Sequence, residues 1–204
     1  MLWGNHKMTK QVQLAYQFDF IHDGQKAFRE VLNAMANPGT VKSIAAQSKK
    51  FEEVYAPLTV LGCMILDNEE IMYVEKNPKL AAKLHDLTLC RQGELEQADY
   101  IFLSSQMNYG SMEEIMRNAK KGTYQDPQNS ATMIILCDEM KGNVEMNLKG
   151  PGIKGTKTVC VQQYIKTILM IRQSLQTEYP LGIDLLFVTP EGELMGIPRL
   201  CKTA

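Results

Sequence analysis

Apolar and polar positions follow two different periods along this chain. Apolar residues three and four positions apart predict amphipathic helices, whereas short continuous apolar runs bounded by turn residues predict buried strands. The first helix is predicted within residues 22–39, and its apolar face has members at i, i+3, i+4 and i+7: Phe28, Val31, Leu32 and Met35. Asp23 is its predicted N-cap, and Asn37-Pro38-Gly39 is expected to end it, with Gly39 at positive φ.

The same patterns predict alternating helices and strands over the rest of the chain. Further helices are predicted within 55–70, 78–89, 111–122 and 162–176. Strands are predicted within 71–75, 98–104, 131–138, 144–148, 156–161, 183–189 and 193–197. The run 131–138 is the strongest strand, because a continuous apolar segment is typical of a sheet covered on both faces. We therefore expect one α/β domain with a mixed sheet over 18–204, preceded by a tail over 1–17.

Composition and charge argue against several classes of protein. The formal net charge is -1, so no basic field favours nucleic acid or an anionic membrane as a partner. No apolar run approaches the roughly 18 to 20 residues of a membrane-spanning helix. Residues 1–13 lack the apolar core of a signal peptide, and the expected location is the cytoplasm.

The cysteines and histidines give no sign of a metal site. The chain has 5 cysteines at wide spacing, mostly in apolar runs, which indicates buried thiols in a reducing compartment. No Cys-x-x-Cys pair occurs, and the 3 histidines are scattered. We therefore expect neither a zinc nor an iron–sulfur site.

Residues 147–157, NLKGPGIKGTK, contain the pattern G-x-G-x-x-G of dinucleotide-binding turns at Gly150, Gly152 and Gly155. Such a turn needs a helix after it, yet the β-branched segment that follows predicts a strand. The order Thr-Lys at 156–157 also departs from the Lys-Ser/Thr of a phosphate-binding P-loop. Two interpretations stay open: a backbone nest for an anion, and a rigid turn surrounded by solvated lysines, which the residue chemistry favours.

Several segments resemble the PhnH family when they are taken together. The opening segment 18–41 has the pattern F-D…Q…F-R…L-x-x-A-M…P-G. The others follow in order along the chain: LDNEE, ADYIF, ATMIIL, LKGPGI, YPLGIDLLFV and GIPR. They span roughly residues 18 to 199.

The resemblance implies a fold, a function and partners. PhnH proteins are subunits of the bacterial carbon–phosphorus (C–P) lyase core complex. Their fold is an α/β domain with a mixed, mostly parallel sheet flanked by helices, similar to the large domain of PLP-dependent transferases but without PLP or another cofactor. The complex couples an alkylphosphonate to the ribose C1 of ATP and releases adenine. The implied partners are a second copy in a homodimer, the other core subunits, ATP and the alkylphosphonate.

Five residues are candidates for an anion-binding or interface role: Arg29, Gly150, Gly152, Lys154 and Arg199. Cationic groups and backbone donors at glycines are what a phosphate-bearing substrate requires. The structural alternatives are solvated or ion-paired arginines and a plain turn.

The sequence leaves open whether the chain is itself an enzyme. It has no nucleophile–base motif and no paired carboxylates, so no catalytic residue is assigned. One alternative is a stand-alone PLP-type transferase, for which Lys141 after the apolar strand is the candidate Schiff-base lysine. The other alternative is a purely structural dimeric scaffold.

Overall fold

The computed structural model describes residues 17–203, so the predicted tail lies outside the described residues except for Gln17. The helices are α1 (His22–Ala36), α2 (Ala45–Ser48), α3 (Ala56–Ile65), α4 (Pro78–Thr88), α5 (Tyr109–Asn118) and α6 (Gln163–Ser174). The strands are β1 (Lys42–Ser43), β2 (Ile71–Glu75), β3 (Arg91–Gln92), β4 (Tyr100–Leu103), β5 (Thr132–Leu136), β6 (Lys141–Lys149), β7 (Lys157–Val161), β8 (Asp184–Val188), β9 (Glu193–Ile197) and β10 (Lys202–Thr203).

Seven strands form one sheet in the order β1-β9-β8-β5-β4-β2-β3. The strands from β8 to β3 run parallel to one another, whereas β9 and β1 are antiparallel to their neighbours. This is the mixed, mostly parallel sheet that the resemblance implied. Each of the seven predicted strands occurs, and the apolar run 131–138 forms β5 at the centre of the sheet.

The main sheet separates two apolar cores, because successive side chains of a strand point to opposite faces. Met133 and Ile135 of β5 belong to one core, with side chains from α5 and α6. Ile134 belongs to the other core, with side chains from α1, α3 and α4. Helices therefore cover both faces of the sheet, which is why β5 is apolar at every central position.

The buried face of α1 differs from the apolar face found in its sequence. Ala27, Val31 and Ala34 are buried, together with Gly24. Phe28 and Leu32, which belong to the apolar face found in the sequence, are exposed, and Met35 is half-buried. Periodicity locates the apolar face of the helix but does not say which part of that face this chain buries.

The ends of α1 give one further correction and one confirmation. Asp23 is not the N-cap, since it lies inside the helix, buried, and accepts a hydrogen bond of 2.6 Å from Lys50 Nζ. The helix ends at Ala36 as predicted, and Gly39 has φ +70°. The positive φ turns the chain toward the edge strand β1.

A second, smaller sheet has the order β10-β6-β7 and is antiparallel throughout. Its inner side chains, among them Leu148 and Val161, pack in the core that contains α6. Cys90, Cys137 and Cys201 are buried thiols, as expected, whereas Cys160 on β7 is exposed. No helix in residues 17–203 has the length and apolar character needed to cross a membrane.

Candidate functional site

A cleft of about 790 Å³ lies beside the C-terminal end of α6. Its walls come from α6, from the loop 176–183 and from residues 199–203, which lead from β9 into β10. Pro151, in the turn between β6 and β7, also lines it. Small-molecule sites in proteins have volumes of roughly 300 to 1,000 Å³, and this cleft is within that range.

The cleft lies at the amino-terminal edge of the parallel strands, beside the start of β8. Open α/β sheets commonly bind ligands at the opposite edge, where the strand order reverses. That reversal falls between β2 and β4, where Asn77 Nδ2 donates to Ser104 Oγ over 3.0 Å. The cleft beside α6 lies at the other edge of the sheet, so the general rule for this fold does not locate it.

Arg172 forms the base of the cleft, and backbone carbonyls hold its guanidinium. Nη1 donates to the carbonyls of Ile183, Ile197 and Pro198 at 3.2, 2.8 and 3.2 Å. Nη2 donates to the carbonyl of Cys201 at 2.6 Å. Burial lowers the pKa of Arg172 to about 10, so the group stays protonated at neutral pH. The base of the cleft therefore carries a fixed positive charge.

Arg199 lies on the wall of the cleft in an ion pair within the chain. Its Nη1 donates to Asp184 Oδ2 at 3.0 Å and to Ser130 Oγ at 2.6 Å. Its backbone N–H donates to Asp184 Oδ1 at 2.7 Å. The side chain predicted to face an anion or a partner is thus held in one direction, with its charge matched by Asp184.

The glycines of the 147–157 segment join two antiparallel strands, β6 and β7, as a turn. A Cβ on Gly150 would lie 2.7 Å from the carbonyl oxygen of Leu200, and one on Gly152 would lie 2.5 Å from that of Ala36. Gly152 and Gly155 also have positive φ, at +82° and +78°. A strand, β7, follows the turn, whereas a dinucleotide site requires a helix there. The close contacts with Leu200 and Ala36 therefore account for Gly150 and Gly152.

The lysines around the turn have different environments. Lys157 Nζ donates to the carbonyl of Pro38 at 2.9 Å and to Thr40 Oγ1 at 2.5 Å, and burial lowers its pKa. It is therefore not a solvated lysine, in contrast to Lys154, which is exposed. Lys149 and Lys202 are exposed and lie directly opposite each other across β6 and β10. Opposed like charges destabilise a sheet, so an anion beside them would relieve the repulsion.

A family model described as bacterial phosphonate metabolism protein (PhnH) matches residues 16–204. The chain belongs to the PhnH family. No curated protein matches the chain.

Three of the seven segments that carry the PhnH resemblance line the cleft. The segment 148–153 supplies Pro151, the segment 179–188 supplies one wall, and GIPR at 196–199 supplies Arg199. The opening segment 18–41 reaches the same region, because Gly152 packs against Ala36. Segments far apart in this PhnH-family chain are thus brought together around one cavity.

The cleft includes some of the five predicted candidates and not others. Arg199 lines it, and Gly150 and Gly152 flank Pro151 in the lining turn. Lys154 belongs to the same turn but is not in the lining, and Arg29 is exposed on α1, away from the cleft. The anion or interface role of these five residues stays a prediction.

Arg172 is the site residue that the sequence analysis missed. It occupies an apolar-face position of α6, at helical spacing from Ile165, Ile168 and Leu169. A cation in an apolar stripe must find internal partners, and that mismatch is the signal that could have identified it.

Lys141, the candidate Schiff-base lysine of the PLP alternative, is exposed at the start of β6. It borders a second, smaller hollow of about 340 Å³ that also includes Asp138, Glu139, Glu191 and Glu193. Within residues 17–203, no group of three or more histidine, cysteine or acidic side chains is arranged to hold a metal ion.

Proposed function

We propose that this PhnH-family chain is a subunit of the bacterial C–P lyase core complex. In that complex it supports transfer of ribose 5-triphosphate from ATP to an alkylphosphonate, with release of adenine. The observation that carries the proposal is that three segments of the family resemblance line one cleft with a charged base. The expected setting is the cytoplasm, as a homodimer bound to the other core subunits, with no cofactor of its own and with the fold of a PLP-transferase large domain.

The chemistry of the cleft suits a role in holding an anionic group. Displacing adenine places charge on the ribose and on the leaving base, while triphosphate and phosphonate groups must be held in place. Arg172 supplies a fixed charge at the base, and Lys202 supplies an exposed charge at the rim. Cationic groups held in place before the substrate arrives are the contribution expected of a supporting subunit.

The proposal is tested by growth on methylphosphonate as the sole phosphorus source. A strain that lacks the chromosomal copy receives the wild-type gene, the K149A/K202A double variant, or R117A as a control on the exposed face of α5. We expect the double variant to grow poorly and the control to grow normally. If the strain that receives no copy of the gene grows on methylphosphonate at the wild-type rate, the chain has no role in phosphonate use.

Assembly measurements separate the supporting role from the scaffold alternative. The chain is co-expressed with the other core subunits, and recovered complexes are assayed for adenine release from ATP. A double variant that assembles normally but releases adenine slowly supports a role for the pair formed by Lys202 of the cleft and the opposing Lys149. A variant with normal assembly and normal adenine release would favour a scaffold. An absorbance band of a PLP Schiff base in the purified wild type, lost in K141A, would favour the transferase alternative.

A further inference from the structure

The outer side of α1, with Ile21 directly before it, carries a row of large apolar side chains. Ile21, Phe28 and Leu32 retain exposed fractions of 72%, 42% and 51%. Residues four and seven positions apart share one side of a helix, and the half-buried Met35 continues the row. We call these four residues the apolar stripe. Exposed apolar rows of this length mark contact surfaces, because their burial against a partner is favourable.

Of the four residues of the apolar stripe, only Met35 packs against the core, whereas Ile21, Phe28 and Leu32 lie outside it. The buried side of α1 is made of small residues, Gly24, Ala27 and Ala34, together with Val31. A Cβ on Gly24 would lie 3.0 Å from Met64 Sδ of α3, so the two helices are already in close contact there. The large side chains cannot turn inward, since small residues already occupy the buried side.

The charges along the stripe indicate the chemistry of its partner. Asp19 Oδ2 is hydrogen-bonded to His22 Nδ1 at 2.7 Å, and Asp23 Oδ2 is ion-paired with Lys50 Nζ at 2.6 Å, so both carboxylates at the start of α1 already have partners. Arg29 borders the stripe between Phe28 and Leu32, and no carboxylate in residues 17–203 lies within 4.0 Å of it. The unmatched charge beside the stripe is positive and calls for a carboxylate.

A second copy of this chain fits that surface poorly. In a two-fold contact of antiparallel helices centred on Phe28 and Leu32, both Arg29 side chains fall on the same flank near the axis. Two guanidinium groups would then face each other without a carboxylate, which opposes association. The apolar stripe therefore makes a favourable contact only with a surface other than its own copy.

We propose that the apolar stripe and Arg29 dock an amphipathic helix from a different subunit. That helix has apolar residues at i, i+3, i+4 and i+7, and an Asp or Glu opposite Arg29. The inference rests on the proposed function, because the core subunits are the expected source of the helix. The inference places the contact with a core subunit on the outer side of α1 and not at the cleft.

The test uses the full chain co-expressed with the other core subunits. F28A/L32A changes the stripe, and M170A is its matched control, because Met170 is an exposed apolar residue of α6 with an exposed fraction of 55%. R29E reverses the flanking charge, and K26E makes the same change on another side of α1. We expect F28A/L32A and R29E to weaken assembly by roughly tenfold or more, as for central interface residues, and both controls to assemble normally.

The outcomes separate this inference from the proposed function. If the wild type recovers no core subunit, the proposed function fails and the docking site fails with it. If the wild type assembles and both test variants assemble equally well, only the docking site is overturned. Thermal melting of F28A/L32A close to that of M170A shows that any loss of assembly is not a folding defect. A large fall in melting temperature with restored assembly at low temperature would count against docking.

A photo-crosslinker at position 32 identifies the occupant directly. The proposal is supported if the crosslinked peptide comes from a core subunit, has apolar residues at the spacing of a helix, and contains an acidic residue. A crosslink to a second copy of this chain, or to a peptide without an acidic residue, would overturn the proposal.

Discussion

Arg199 and Asp184 are joined twice, through side chain and backbone. The guanidinium donates to one carboxylate oxygen at 3.0 Å, and the Arg199 N–H donates to the other at 2.7 Å. The ion pair ties the segment after β9 to the first residue of β8, and it forms a wall of the cleft. One carboxylate thereby sets both the direction of the chain and the position of the arginine.

Replacing Asp184 with alanine is expected to lower the free energy of unfolding by about 1–3 kcal/mol. The pair is largely buried, with exposed fractions of 21% for Arg199 and 17% for Asp184, so an unpaired guanidinium would be costly. Urea unfolding of D184A, R199A and the double variant measures the effect. Additive losses in this double-mutant cycle would contradict a direct interaction.

Replacing Arg172 with methionine is expected to destabilise the protein by about 2–3 kcal/mol. The substitution keeps much of the side-chain volume but leaves four carbonyls without their donor. R117M is the matched control, because Arg117 has an exposed fraction of 64% and should lose less than about 0.5 kcal/mol. Equal urea midpoints for the two variants would show that the carbonyl contacts contribute little.

Alanine at Gly152 and alanine at Gly155 should differ, although both positions have φ near +80°. Each substitution carries backbone strain of about 1–3 kcal/mol. Only the Cβ at Gly152 meets another atom, the Ala36 carbonyl oxygen at 2.5 Å, whereas nothing lies within 4 Å of the one at Gly155. We expect G152A to have the lower melting temperature. A G155A variant that melts at or below G152A would exclude close packing as the reason for Gly152.

Asp23 and Lys50 should contribute stability that acid removes. Burial opposes ionisation of Asp23, but the hydrogen bonds from Lys50 and from the Asp19 N–H, with the positive charges of Lys50 and Lys26, together outweigh burial and lower the pKa of Asp23 below its usual value. A carboxyl whose pKa is lower in the folded state than in the unfolded state stabilises the fold at any pH above its unfolded-state pKa. That contribution is lost as the pH falls through the folded-state pKa. The stability difference between wild type and D23N should therefore be constant at neutral pH and shrink below about pH 4. Urea midpoints across pH 2 to 7 measure it, and a difference that grows in acid would reverse the assigned direction.

The two parts of the candidate site were predictable to different degrees. Arg199 and the Gly150–Gly152 turn were chosen from the sequence because glycines, a proline and a cation are unusual in themselves, and the structure brings them to one cleft. Arg172 was not chosen, because the carbonyls that hold its guanidinium are distant in the sequence. They belong to Ile183 before β8, Ile197 in β9 and Cys201 before β10. No local pattern around α6 contains those carbonyls.

The sequence alone determined the order and type of the main helices and strands in residues 17–203, since these depend on periods of two and 3.6 that neighbouring residues set. It also determined that α1 has an apolar face that includes Phe28 and Leu32. Only the tertiary structure decided that small residues of α1 face the core and that Phe28 and Leu32 face outward. The physical reason is that burial and ion pairing depend on which distant surfaces meet, and local periodicity carries no information about that.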